Sequence, residues 1–179
     1  MCPGGVIGIS MMNGFPGSFS RNGSCIIANR LVKPTDANGP NFGNPVVLNA
    51  DNTYTDVATF IAAAGVMTAA KLAGIAVREV KQATAYAAAA VGNYAPGQPC
   101  DVLQQGSIVV TCNVGNPAAG GAVYLRIAAN GAIPAGVVGG FEAAADGANT
   151  VALTNVQWST GVKDANGVAE ITILQRLAA

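Results

Sequence analysis

The chain has 179 residues, enough for one domain or for one domain with an arm. Nine basic and nine acidic side chains give a formal net charge of zero, and only 10% of residues are charged, which excludes the electrostatic footprint of a nucleic-acid binder and the basic run of a membrane-surface protein. There is no histidine, so the commonest general base, the usual partner of a nucleophilic serine or cysteine, and the commonest metal ligand are all missing.

Residues 1–30 are rich in glycine and irregular, and they are expected to form an extended N-terminal arm ahead of a β-domain over 31–179. The arm either lies on the domain or reaches a neighbouring subunit. "MCPGGVIGIS" has neither the basic start nor the apolar run of a secretory signal. "GFPGSF" is a turn between Phe15 and Phe19. From Arg30 to Asn44 the chain is loop-like, and "PVVLN" (45–49) is a short strand. "DVATFIAAAG" (56–65) is either a helical turn or a strand. The apolar run from Val57 to Val77 is long enough to span a bilayer. Lys71 lies inside it, at a cost of about 2.5–3.5 kcal/mol on insertion, and Gly65 and Gly74 interrupt it. It is read as soluble core structure.

"LAGIAVREVKQA" (72–83) alternates as a strand, and the alanine-rich run that follows reads as a loop with some helical character. After Pro99 the pattern becomes all-β. "CDVLQQGSIVVTC" gives a strand, a Gln-Gln-Gly turn or bulge, and a second strand. "GAVYLRIA" (121–128) puts Val123, Leu125 and Ile127 on one face. Asn130–Gly131 is a hairpin cue inside "ANGAIPAGVVGGFEA". "TVALTNVQW" and "VAEITILQRL" are further strands, separated by turns at Asp146–Gly147 and "KDANG" (163–167). Short strands split by Gly and Asn turns predict an all-β fold, a small barrel or jelly-roll-like sandwich with little helix.

Few residues offer chemistry. Glu142 with Asp146 or Asp164 could form a hydrolytic carboxylate pair, but both aspartates sit at glycine turns, where the side chain caps its own backbone. No serine lies in a GxSxG elbow, and neither "GGVIG" (4–8) nor "GNPAAGG" (115–121) is a phosphate loop. Cys2, Cys25, Cys100 and Cys112 form no CxxC pair; a Cys100–Cys112 disulfide across paired strands is one reading and buried thiols the stronger one. No metal or cofactor is expected. Phe15, Phe19, Phe42 and Tyr94 stand in Gly/Pro/Asn loops and are candidate contact residues. Trp158 reads equally as an interface anchor or as core filling.

Taken in order, "GFPGSFSRNG", "LAGIAVREVKQ", "YAPGQPCDVLQQGSIVV", "GGAVYLRI" and "GGFEAAADGANTVALTNVQWSTGVKDANGVAEITIL" resemble the capsid decoration, or structural cement, proteins of tailed bacteriophages. The resemblance covers most of residues 14–175. It implies a non-enzymatic β-barrel or jelly-roll-like domain on the outer surface of the virion. There it would bind an HK97-type major capsid protein, associate with itself as a homotrimer or homodimer, and tie neighbouring capsid subunits together. It implies no nucleic-acid or membrane partner and supplies no catalytic residue. Two other classes remain beside it: a carbohydrate-binding β-sandwich of a phage tail or cell surface, with Trp158 and the loop aromatics stacking on sugar rings, and the Glu142 hydrolase.

Overall fold

The computed structural model describes residues 13–79 and 92–177. The alanine-rich run of 83–91 lies outside them. The elements in chain order are β1 (Phe19–Leu31), β2 (Pro45–Leu48), β3 (Tyr54–Asp56), α1 (Val57–Ala62), β4 (Leu72–Ala76), β5 (Pro99–Val114), β6 (Ala122–Arg126), β7 (Phe141–Glu142), β8 (Thr150–Trp158) and β9 (Val168–Ile173). The expected all-β class is what the chain adopts.

The long strand β5 organises everything. Its second half pairs with β9 on one edge (Gly106 opposite Ile173 through Thr111 opposite Val168), and its end pairs with β7 in parallel (Cys112 opposite Phe141). The path β5-β7-β6-β8-β9 returns to β5, closing a barrel that leaves none of these strands an open edge. The first half of β5 carries β4 on one edge and β1 on the other, since Leu103 lies opposite both Ile75 and Ile27. β2 and β3 continue outward from β4. Val32, just past β1, makes a parallel bridge to Tyr54, and the Lys33 amide donates to the Tyr54 carbonyl at 2.8 Å, so the far end of the sheet folds back against the end of β1.

Strand alternation sorts the apolar side chains into two cores. Val47, Leu72, Ile75 and Leu103 face the barrel interior with Ile108, Val110, Val123, Leu125, Phe141, Trp158, Ile171 and Ile173. Their neighbours Val46, Ala73, Ala76 and Val102 face the opposite way and pack with Val32, Phe42, Tyr54, Tyr94 and Cys100. Two-residue alternation separates the sets on β2, and on β4 a register shift between Gly74 and Leu72 changes the parity, so that Leu72 and Ile75, three residues apart, share one core. On β5 the inward parity changes between Leu103 and Ile108. Gly106 sits there with φ of +118°, a conformation that costs a glycine little, and a Cβ at this position would lie 2.8 Å from the Cys25 sulfur of β1.

Several expectations are corrected here. "CDVLQQGSIVVTC" is one continuous strand rather than two, and of the two readings of Gln-Gln-Gly the bulge holds: Ile26 lies opposite Gln105 and Ile27 opposite Leu103, which leaves Gln104 as the extra residue. Cys100 and Cys112 therefore lie on the same strand, about 40 Å apart at ~3.3 Å per residue, and no disulfide across paired strands can join them. Asn130–Gly131 closes no tight hairpin. The strand that pairs β6 on this side is β7, with Leu125 opposite Phe141, and residues 127–140 form a loop between them. Pro134 brings no N–H to a ladder, and the Asn130 amide is engaged by Asp146 at 3.1 and 2.9 Å. Segment 56–65 resolves in favour of the helical turn: the Asp56 carboxylate accepts from the Ala58 amide at 2.9 Å as N-cap of α1. No helix among the described residues is long and apolar enough to cross a membrane.

Candidate interaction surface

Residues 13–18 cross the outside of the barrel before β1 begins. The Gly17 amide donates to the Val109 carbonyl at 2.7 Å and the Val109 amide to the Ser18 carbonyl at 2.9 Å. Gly17 has φ of +84°, and a Cβ there would lie 2.8 Å from the Arg78 amide nitrogen and 2.9 Å from that of Gly43. Only glycine permits this contact between the GFPG turn and the loop that carries Phe42. The result is a stack: the Arg78 guanidinium lies 5.0 Å from the centre of the Phe15 ring and 5.6 Å from that of Phe42, and Phe42 meets Tyr94 edge to face at 5.3 Å. The Tyr94 hydroxyl donates to the Val77 carbonyl at 2.6 Å, and burial pushes its pKa upward.

The structure thus brings together three of the five nominated aromatics, Phe15, Phe42 and Tyr94, and separates them by exposure. Phe42 and Tyr94 are buried, and Trp158 is 0% exposed in the barrel core. The core-filling reading of Trp158 is the one the geometry supports; it reaches no surface of the chain. Phe15 (59% exposed) and Phe19 (44%) remain on the outside. Ile27 and Leu31 of β1 join them, 46% and 50% exposed. Sequence reading missed these two because residues 1–30 read as an irregular arm and 30–44 as a loop, whereas Phe19–Leu31 form a strand of the sheet. The signal was available: "CIIANRL" (25–31) has apolar residues at both parities. Ile26 and Ala28 take the half-buried parity, which leaves Ile27, Asn29 and Leu31 outward.

β1 is also an edge strand. β5 occupies one side, and among the described residues no strand pairs with the other; near its end Val32 and Lys33 reach the backbone of Tyr54 in β3, and the Arg30 guanidinium lies 6.0 Å from the centre of the Tyr54 ring. The edge is broken by register shifts between Phe19 and Ile27, which blunt strand pairing, and its exposed apolar residues are Phe19, Ile27 and Leu31.

The carboxylates tell a different story. The Arg126 guanidinium is fully buried; its Nε donates to Glu142 Oε1, and its Nη2 to Glu142 Oε2 at 2.9 Å. Nη1 donates to Asp146 at 2.9 Å and to the Ala128 carbonyl at 3.2 Å. Asp146 also accepts from Asn130 and from Asn149 at 3.3 Å, and those bonds, with Arg126, hold its carboxyl below the usual carboxylate range. The candidate hydrolytic pair is therefore a clamp in which Arg126 of β6 engages Glu142 of β7 and Asp146 beyond it, with every carboxylate oxygen accepting a hydrogen bond. Asp164 accepts from Asn166 and Val168 at 2.9 Å and, through its other oxygen, from the Asn13 amide at 2.9 Å. Burial pushes its pKa up, but these N–H donors outweigh it and the net shift is downward. Two clefts, of ≈ 420 and ≈ 410 Å³, are lined by residues such as Leu153, Asn155 and Arg176, and Leu48, Phe60 and Lys71; neither includes Glu142, Asp146 or Asp164. Among the described residues no group of three His, Cys, Asp or Glu side chains is placed to hold a metal.

Comparison with known proteins gives a consistent picture. The sequence model of the XM1 gp53 minor capsid protein family matches residues 5–173. A chain from a solved structure described as "The capsid of Myoviridae Phage XM1" superposes with a TM-score of 0.64 at 16% sequence identity, covering 99% of this chain and 100% of that one. No curated protein matches.

Proposed function

The chain belongs to the XM1 gp53 minor capsid protein family, and from that premise we propose that this phage capsid structural protein is a non-enzymatic decoration, or cement, protein. It binds the outer surface of the head, contacts an HK97-type major capsid protein, and as a homo-oligomer ties neighbouring subunits together. The observation that carries this reading is the exposed apolar flank of β1, which has no pairing strand on that side among the described residues: Phe19, Ile27 and Leu31 are exposed, and Phe15 is stacked nearby on Arg78. A shell protein that works by many repeated contacts needs such a flank and needs no reactive group. Each copy can bind weakly, because once one contact is made to a shell the second is effectively intramolecular. Binding only the assembled lattice stabilises that state by mass action and leaves free subunits unaffected.

The non-enzymatic part is supported by the engagement of Glu142 and Asp146 by Arg126. The sugar-binding alternative loses its main residue, since Trp158 is in the core and Phe42 and Tyr94 are covered. Quantitative mass spectrometry of purified virions tests the reading. It expects copies at a simple ratio to the major capsid protein, and heads stripped of this chain that release DNA at lower temperature than complete heads. A handful of copies per virion, or stripped heads of undiminished heat resistance, would overturn it.

A further inference from the structure

We propose that the two clefts on either side of Ala70 receive an acidic, apolar segment of the major capsid protein, whose carboxylates pair with Arg176 and Lys71. The inference rests on the capsid binding proposed above. It names a contact separate from the β1 flank, since no residue of β1 lines either cleft.

The first observation is how the clefts are built. The larger, of ≈ 420 Å³, is lined by Leu72, Leu153, Val156 and Leu177, all members of the barrel core and at most 9% exposed. The other, of ≈ 410 Å³, is lined by Val47, Leu48, Phe60 and Ala73. Both volumes fall in the range of roughly 300–1,000 Å³ in which proteins bury ligand groups. Ala70, in the 3₁₀ turn Ala69–Lys71, belongs to both linings, so the clefts adjoin. Two adjoining clefts of like build fit a chain that presents side chains in succession better than they fit one small molecule.

The second observation is their charge. Each cleft is lined by one cation, Arg176 in the larger and Lys71 in the other, and by no carboxylate. Neither cation is in an ion pair among the described residues. Arg176 Nε donates to the Gln104 side chain at 3.0 Å, and Gln104 is 1% exposed. That bond anchors the guanidinium and leaves its two Nη groups without a partner among the described residues. A planar fork held in this way matches a carboxylate two bonds at a time. The Lys71 ammonium lies 5.1 Å from the centre of the Phe60 ring, which holds it at the cleft wall. The remaining polar groups are spent. The Asn155 side chain donates to the Gln175 carbonyl and accepts from the Gln175 amide at 3.0 Å. Asp51, next in the chain to Ala50 of the smaller cleft, is turned into its own loop, accepting from the Thr53 amide at 3.2 Å and from its hydroxyl at 2.6 Å. Two unpaired cations beside apolar walls define the chemistry of the occupant: carboxylates next to apolar side chains. A contact here in addition to the one at β1 gives each copy two points of attachment, which tying neighbouring subunits requires.

The test re-decorates heads stripped of this chain with the purified full chain and with two matched pairs of variants, Ala70→Glu with Ala70→Lys, and Thr154→Glu with Thr154→Lys. Both positions are exposed and line the clefts, so the fold is expected to survive, with unchanged Trp158 emission as the check. The glutamate variants compete inside the clefts for the cations, and the lysine variants add similar bulk without that competition. The glutamate variants are expected to bind heads about tenfold or more weakly than the parent, and the lysine variants within about threefold of it. Parent binding is expected to weaken as salt is raised. A photo-cross-linking amino acid at position 154 is expected to join peptides of the major capsid protein that contain Asp or Glu. Glutamate and lysine variants of equal affinity, parent binding indifferent to salt, or cross-links confined to capsid peptides without an acid or to another copy of this chain would each overturn the proposal and leave the decoration reading standing. A parent that fails to rebind stripped heads would overturn the decoration reading and this contact with it.

Discussion

Replacing Glu142 by glutamine separates a structural clamp from a working carboxylate. Arg126 and Glu142 are both 0% exposed, and the substitution removes the charge that balances a buried guanidinium. Breaking such a pair from one side costs about 3–5 kcal/mol. Arg126 would keep Asp146 and the Ala128 carbonyl, so the lower end applies, about 3 kcal/mol. For a domain of this size each kcal/mol moves the midpoint by roughly 2–4 °C, which gives a fall of roughly 6–12 °C. Thermal and urea unfolding followed by far-UV circular dichroism and by Trp158 emission measure this, and coincident transitions license the two-state treatment. Replacing both partners by apolar residues, Arg126→Met with Glu142→Leu, removes the stranded charge and is expected to return stability to within about 1 kcal/mol of the parent, because well-packed apolar pairs substitute for buried ion pairs at little cost. Asp146, 17% exposed at its side chain, keeps Asn130 and Asn149 as donors. A single variant that loses less than about 1 kcal/mol, or a double variant as unstable as the single one, would refute the reasoning.

Three further outcomes are expected. Trp158 is the one tryptophan and lies in the core, so native emission should be blue-shifted and poorly quenched by acrylamide, and Trp158→Ala should cost about 3–5 kcal/mol; readily quenched native emission would place the ring elsewhere. Gly136→Ala puts a Cβ 2.2 Å from Arg126 Nε, whose position is fixed by its carboxylate partners, and should cost about 1–3 kcal/mol in urea unfolding, with no loss if the clamp yields. Asp164 has a folded pKa below its ordinary 3.8, so its stabilisation is present above that value and is lost as pH falls through the folded pKa. Asp164→Asn should therefore cost about 1 kcal/mol at pH 7, after allowance for solvent exposure, and the deficit should shrink as pH falls below 3.8. A deficit independent of pH would contradict this.

The residues by themselves determined the all-β class, the turn chemistry at both DANG sites and the poverty of reactive groups, because alternation, Asp–Gly turns and the lack of histidine act over a few residues or over none. Membership of a phage capsid family was also legible, through the order of weak motifs along most of the chain. Pairing decided the rest. Whether Gln104–Gln105–Gly106 turns or bulges depends on the partners along β5, and these come from distant segments at Ile27, Ile75 and Ile171. Asn130–Gly131 carries a hairpin cue, but Asp146 takes its side chain and β7 takes its place beside β6. Burial depends on the same distant packing: Trp158 and Tyr94 are covered by elements far away in sequence, while Ile27 and Leu31, apolar and in a strand, lie on the face of β1 that the described residues leave exposed. A local pattern can say that a side chain alternates; only the closed barrel says which side is inside.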